Sequence, residues 1–331
     1  MLEIQKAVIE KIKGFMTQEE VFEYLREAAK KLDKPKFEET SMTLREASLQ
    51  ALEPSNGKSV IRLQHKVFQA LSKIYGLTSG LHVIAAPSGH GKTLWAMEWA
   101  KETAKMGKKV LFLSLEMSAK DLGARVMSEM SEIELQKIVS HDFVGEQIQA
   151  LSCLVGREEN DWMENIFIDA FGSYDFIKIQ PRLWEKMMQH KPDLVIIDYV
   201  QMIYDSSDKS NMPSRVLGNI ARDLKLFADN TSSAVLLLSQ INREGVKDIE
   251  SKHREDDQAV LLSKNYIKES GGIVEAADSI QLVCMPWRLL GRATKAMNYF
   301  QVTVDKSRRL GTVGTVLLPF DAERMGFIYG S

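Results

Sequence analysis

The stretch APSGHGKT, residues Ala86 to Thr93, sets the reading of the whole chain. It closes in Gly-Lys-Thr, the ending of a phosphate-binding loop. In such a loop Ser88, Gly89, His90 and Gly91 would wrap a phosphate with backbone N–H groups. The two glycines allow that close approach. Lys92 would reach the outer phosphates, and the Thr93 hydroxyl would be a ligand of Mg²⁺. One position departs from the usual pattern: Ala86 stands six residues before the lysine, where glycine is expected. The alternative is a helix start that is merely rich in glycine. Context argues against it, because the apolar run HVIAA (82–86) precedes the loop and the helical segment LWAMEWAKETAKM (94–106) follows it.

Downstream, short apolar runs alternate with helical segments: KVLFLSLE (109–116), NIFIDA (165–170), LVIIDYV (194–200), AVLLLSQ (234–240) and SIQLVCM (279–285). Runs of Val, Ile and Leu with no polar alternation predict strands buried on both faces. That is the signature of a mostly parallel sheet in an α/β fold, twisted and flanked by helices. The closely spaced runs FQVTV (300–304) and TVLLPF (315–320) predict a C-terminal antiparallel hairpin. The polar stretches 204–215 and 243–258 read as loops.

The ends of these strands carry chemistry. Open α/β sheets build their sites at the carboxyl ends of the strands. Glu116 ends the second run, where a carboxylate can polarise a water for attack on a γ-phosphorus. Asp198 follows four apolar residues and suits an acid that orients the water shell of Mg²⁺. Gln240 ends its own run and could touch a γ-phosphate and register its loss. Each residue alone reads equally as a turn or cap. Together, on successive strand ends beside a phosphate loop, they point to nucleotide hydrolysis.

Residues 1–53 read as a small helical region. Leu2, Val8, Ile9, Ile12 and Phe15 recur at helical spacing, and TQEE (17–20) and TLRE (43–46) have the form of capping boxes. A short linker helix is expected over 44–52, with Pro54-Ser-Asn-Gly57 as the boundary to a core at 58–331. The 331 residues carry a net charge of -2, with 44% hydrophobic and 27% charged residues. That composition excludes a protein that coats nucleic acid through bulk charge. The two cysteines lack metal-ligand spacing and read as buried thiols of a reducing compartment. The histidines form no zinc-type pair. No apolar run reaches transmembrane length and the N-terminus is not a signal peptide, so a cytoplasmic protein with no membrane partner is expected.

The motifs AAPSGHGKT, LFLSLEMS, VIIDYVQMI and LLLSQINREG, in this order, resemble those of the DnaB-type replicative DNA helicases. In that family the phosphate loop commonly opens with alanine, which accounts for Ala86. IKESGGIVEAADSIQLV is similar to the family's single-stranded DNA segment. VDKSRRLGTVGTVLLPF is similar to its hairpin bearing a lysine and an arginine finger. The resemblance covers roughly residues 58–328. It implies a RecA-like core that hydrolyses ATP with Mg²⁺ and assembles as a hexameric ring on single-stranded DNA. Glu116 would be the catalytic base and Gln240 the γ-phosphate sensor. Lys306 and Arg308 would act on the neighbouring subunit, with Arg309 the competitor for the finger. Lys268, Glu269 and Gly271 would contact DNA. The family usually has arginine where Lys268 stands. Primase or a helicase loader is the implied partner. The short N-terminal region is expected to mark a reduced version of phage or plasmid type. Two other classes share the phosphate loop: a RecA- or KaiC-like ATPase that does not unwind DNA, and a loading or adaptor factor switched by ATP.

Overall fold

The computed structural model describes residues 60–170, 172–209, 212–252, 259–268, 271–290, 299–321 and 326–329. All belong to one compact unit, Gly57–Ser331. The expected N-terminal helices, the linker helix 44–52, the boundary at 54–57 and Glu269 lie outside the described residues.

The chain enters through α1 (Gln69–Ile74), then forms β1 (Gly80–Ala86), the Ala86–Thr93 loop and α2 (Lys92–Lys105). It continues through β2 (Val110–Ser114), α3 (Ala119–Ser131), α4 (Leu135–Ser140), α5 (Gly145–Val155), β3 (Ile166–Ala170), α6 (Phe176–His190) and β4 (Leu194–Asp198). There follow α7 (Pro213–Thr231), β5 (Ala234–Gln240), α8 (Arg243–Lys252), α9 (Gly271–Ala276), β6 (Ser279–Cys284), α10 (Pro286–Leu289), β7 (Tyr299–Ser307), β8 (Gly314–Asp321) and β9 (Gly326–Phe327). The strands form one sheet in the order β3-β2-β4-β5-β1-β6-β7-β8-β9. The first six in that order are parallel, and β7 to β9 add antiparallel at the β6 edge.

Both faces of the parallel part are covered, as the unbroken apolar runs require. Leu81, Val83 and Ala85 of β1 join a core with α6, α7, α8 and α9, while Ile84 and Ala86 point into the opposite core with α1 and α2. The second core is built of aromatics. Trp95, on the first turns of α2, lies 5.7 Å from Phe68, 5.8 Å from Phe300 and 5.6 Å from Phe327 between ring centroids. Its indole N–H donates to Gln281 Oε1 at 2.7 Å. The helix that follows the phosphate loop is thereby fixed to β6 and to the hairpin.

Two expectations are corrected. The stretch 243–258 does not open as a loop: Arg243–Lys252 is α8. Ile249 is buried in the core, Gly245 N–H is capped by Asn242 Oδ1 at 2.6 Å, and Lys252 pairs with Asp248 one turn earlier at 2.6 Å. A single buried isoleucine in a polar sequence was too weak a periodic signal to read. Cys284 is buried, as expected, but Cys153 is exposed on α5.

Candidate active site

The loop after β1 turns on two glycines in left-handed conformation, Gly89 (φ 74°) and Gly91 (φ 81°). Gly91 has a second constraint: a Cβ there would meet Met285 Cε and Phe300 Cε2 at 2.9 Å each. Ala86 is fully buried at the end of β1, where its methyl packs in the aromatic core. The loop is braced from β6 and α10. Arg288 Nη1 donates to Gly89 O at 2.6 Å, and Met285 N–H donates to His90 Nδ1 at 3.3 Å. Burial, with the positive charges of Arg288 and Lys92, pushes the His90 pKa down to about 4, so its ring is neutral. Ser88 stands exposed at the loop tip. Lys92 and Thr93 open α2, where first-turn N–H groups have no intrahelical partner and carry the positive end of the helix dipole. Lys92 Nζ lies 5.1 Å from the centre of the Tyr199 ring.

Asp198, the last residue of β4, faces this helix start. Thr93 Oγ1 donates to Asp198 Oδ2 at 2.6 Å. The other carboxylate oxygen, Oδ1, is buried with no hydrogen-bond partner. Burial raises the Asp198 pKa against the opposing pull of Thr93 and Lys92, and Glu116 adds to the rise. A buried acid with one orphaned oxygen beside a threonine hydroxyl has the donor chemistry of a Mg²⁺ site: hard oxygen ligands and negative charge. Glu116 is exposed across the site, two residues beyond the end of β2. β2 and β4 are neighbours in register, Ser114 opposite Asp198, and Leu115 N–H donates to Asp198 O at 2.8 Å. The two acids therefore come from adjacent strand ends.

Gln240 ends β5, opposite Ala86 in the β1–β5 pairing. Its carbonyl accepts from Lys268 N–H at 2.8 Å. Its own N–H donates to Gln201 Oε1 at 3.1 Å. The Gln201 amide in turn donates to Ser239 Oγ at 2.7 Å and to Lys268 O at 3.5 Å. The Lys268 side chain is exposed, and Gly271 is exposed at the start of α9.

Lys306 and Arg308 lie elsewhere. Arg308 N–H donates to Asp278 O, and Asp278 N–H donates to Leu81 O, so Arg308 is level with the beginning of β1. At about 3.3 Å per residue, Leu81 is roughly 16 Å along the strand from Ala86, where the phosphate loop starts. Lys306 Nζ donates to Val274 O at 2.5 Å and Arg308 Nη2 to Glu275 O at 2.7 Å. Burial lowers the Lys306 pKa, and the nearby Arg308 charge adds to this. Arg309 is held on its own chain: Nη1 donates to Ser79 Oγ at 3.0 Å, and Nη2 is 3.9 Å from Asp229 Oδ1.

The pattern of the DnaB-like helicase C terminal domain family matches residues 65–328. The chain belongs to this family. Its relatives include the replicative DNA helicase DnaB of Geobacillus stearothermophilus, 28% identical over 253 residues, covering 76% of this chain and 52% of the relative. The replicative DNA helicase DnaC of Bacillus subtilis (strain 168) is 28% identical over 251 residues, covering 75% and 52%. The chain thus spans about half the length of the curated relatives it matches. Among solved structures, one described as an ATPase domain superposes with a TM-score of 0.71 at 25% identity, covering 87% of this chain and 99% of the other. "The Structure Of A DnaB-Like Replicative Helicase And Its Interactions With Primase" gives a TM-score of 0.72 at 24% identity, covering 99% and 74%. The fold is that of the RecA-like helicase ATPase domains.

In this DnaB-like core the structure brings together Gly89, His90, Gly91, Lys92, Thr93, Glu116, Asp198 and Gln240 at the carboxyl ends of β1, β2, β4 and β5. Lys268 joins them through Gln240. Lys306 and Arg308 are set apart. Reading the sequence missed Gln201 and Arg288. Gln201 had a visible signal, an amide three residues after Asp198 in an otherwise apolar turn. Arg288 had none, because only folding brings α10 onto the loop.

Proposed function

We propose that this chain is the ATPase motor of a ring-forming replicative DNA helicase that moves on single-stranded DNA. The carrying observation is the separation of the groups. Phosphate loop, acids and sensor candidate sit at one end of the sheet and Arg308 at the other, roughly 16 Å away along β1, with Lys306 part-way between, level with Val83. A second copy, set head to tail, would offer those cations to the first copy's nucleotide. A heterologous contact of that kind closes into a ring when its rotation permits.

On this reading the loop N–H groups and Lys92 bind the phosphates of ATP. Thr93 and Asp198 would hold Mg²⁺, which when bound neutralises charge building on the phosphoryl oxygens. Glu116 accepts the proton of the attacking water. Gln240 contacts the γ-phosphate, and the neighbour's Arg308 stabilises the transition state. Arg308 is the finger candidate from its Lys-x-Arg spacing; it is held by one backbone carbonyl, that of Glu275, whereas Arg309 engages two side chains, Ser79 and Asp229. Lys268, Glu269 and Gly271 would follow the DNA backbone. With a net charge of -2 on each chain, a basic group such as Lys268 acts by repeating around a pore, which gives salt-sensitive binding of low sequence preference. Primase or a loader is the partner class to test by pull-down. A cytoplasmic location fits this role, and among the described residues no helix is long and apolar enough to cross a membrane.

The deciding experiment measures ATP turnover with and without oligo(dT), strand separation of a forked duplex, and the mass of the assembly. A ring with DNA-stimulated turnover and unwinding is expected. Filaments, or turnover without unwinding, would favour a recombinase-like ATPase; negligible turnover would favour a switch.

A further inference from the structure

α9 connects the two ends of the sheet. The chain approaches it from Lys268, which is bonded to Gln240 at the phosphate-loop end. It leaves through Asp278, which is bonded to Leu81 at the opposite end and to Lys225 of α7 at 2.6 Å. Two carbonyls of the last turn of α9, those of Val274 and Glu275, hold Lys306 Nζ and Arg308 Nη2. Terminal helix carbonyls lack intrahelical partners and carry partial negative charge, so cations are stabilised there. The position of these two side chains thus follows the position of α9.

The seat of α9 on α7 has an unusual surface. A Cβ on Gly272 would stand 2.4 Å from Gly218 Cα, and a Cβ on Gly218 would stand 3.1 Å from Gly272 Cα. Backbone meets backbone with no side chain between. Helices normally lock through interdigitating side chains, and this contact has none to disengage. Ile273, fully buried, is the single α9 side chain fixed deep in the core.

We propose that α9 is a coupling lever: DNA held at Lys268 and Gly271 tilts it about Ile273 on the Gly218–Gly272 contact, and the tilt sets where Lys306 and Arg308 stand for the neighbouring ATP. This rests on the proposed function, which assigns the DNA contact and the action on the neighbour. Gly218 and Gly272 are positioning residues that touch neither ligand.

The test uses the full chain with Gly272→Ala, the milder Gly218→Ala, and Gly123→Ala, whose Cβ would meet nothing within 4 Å, as control. Folding is followed by circular dichroism, and the Kd values for a fluorescent ATP analogue and for oligo(dT) are measured beside turnover. Stimulation by oligo(dT) should fall about tenfold in Gly272→Ala and less in Gly218→Ala, with basal turnover and both Kd values within about twofold of the parent. Should Gly272→Ala fail to fold, Gly218→Ala carries the comparison. Unchanged stimulation in folded variants of a stimulated parent overturns the lever alone. Basal and stimulated turnover falling together also overturns it, since that is mere loss of packing. A parent that oligo(dT) does not stimulate overturns the proposed function itself.

Discussion

Thr93 Oγ1 donates to Asp198 Oδ2 at 2.6 Å, while Asp198 Oδ1 is buried and unpartnered. Because burial raises its pKa, the folded state binds more protons than the unfolded chain between the unfolded and folded values. The Asp198 contribution to stability therefore falls as pH rises through that window and is unfavourable above it. Asp198→Asn should raise the melting temperature near neutral pH in chelator. MgCl2 with nucleotide should then stabilise the parent but not the variant, and kcat should drop about 100-fold. Differential scanning fluorimetry and a phosphate-release assay check both. Equal magnesium stabilisation of the two proteins would remove Asp198 from the metal site.

Arg308→Ala and Glu116→Gln should each lower assembly turnover by about 10³-fold or more, an effect in the range of an arginine finger or a base. Mixed, they should recover part of it, since some interfaces then combine an intact acid with an intact arginine. Arg309→Ala should leave turnover within a few-fold of the parent. The check is steady-state turnover across mixing ratios. No recovery, with mixed assemblies confirmed by mass, refutes action on the neighbour.

Gln201→Leu keeps the volume but removes a hub of three hydrogen bonds, leaving Gln240 N–H and Ser239 Oγ without that partner. A net loss of about 0.5–1.5 kcal/mol per such bond corresponds to roughly tenfold in rate if one bond's worth acts on the reacting geometry. Turnover should fall about tenfold while the Kd for nucleotide is unchanged. A higher Kd at normal kcat would show that Gln201 serves binding instead.

His82 is locked in a directed chain. Its Nε2–H donates to Thr78 O at 2.7 Å, its Nδ1 accepts from Ser279 Oγ at 2.7 Å, and Tyr75 Oη lies 2.5 Å from that same Oγ. Burial pushes the His82 pKa down to about 4, from 6.5. Below the unfolded value the unfolded chain takes up a proton that the folded ring refuses until about 4, so stability falls as pH drops through this window and is flat above it. His82→Gln should reduce the difference between urea midpoints at about pH 5 and about pH 7. An unchanged difference would assign acid sensitivity to other groups.

Much of this architecture was legible because it rests on local signals. The short apolar runs LVIIDY and AVLLLSQ between helical segments read as strands buried on both sides, and Gly-Lys-Thr after such a strand read as the end of a phosphate loop opening a helix. The placement of Asp198, Glu116 and Gln240 at or just beyond strand ends was readable because each stands where an apolar run stops. Residues whose roles depend on long-range contact were not. Arg288 reaches Gly89 from 199 positions away, and nothing in PWRL marks it. α8 was hidden because its buried face is narrow, with Ile249 its chief anchor. Gly218 and Gly272 are ordinary glycines in the sequence, and their meaning appears only when α7 and α9 touch.

The distance between the phosphate loop and Arg308 also fixes an arithmetic of assembly. Under the proposed function each protein copy owns two incomplete halves and no whole, so a lone copy has no competent centre. An open row has one fewer competent centre than it has copies, and only closure makes the numbers equal. Specific activity per chain should then climb with concentration and rise once more when the row closes on itself, so that ring closure is itself an activating event.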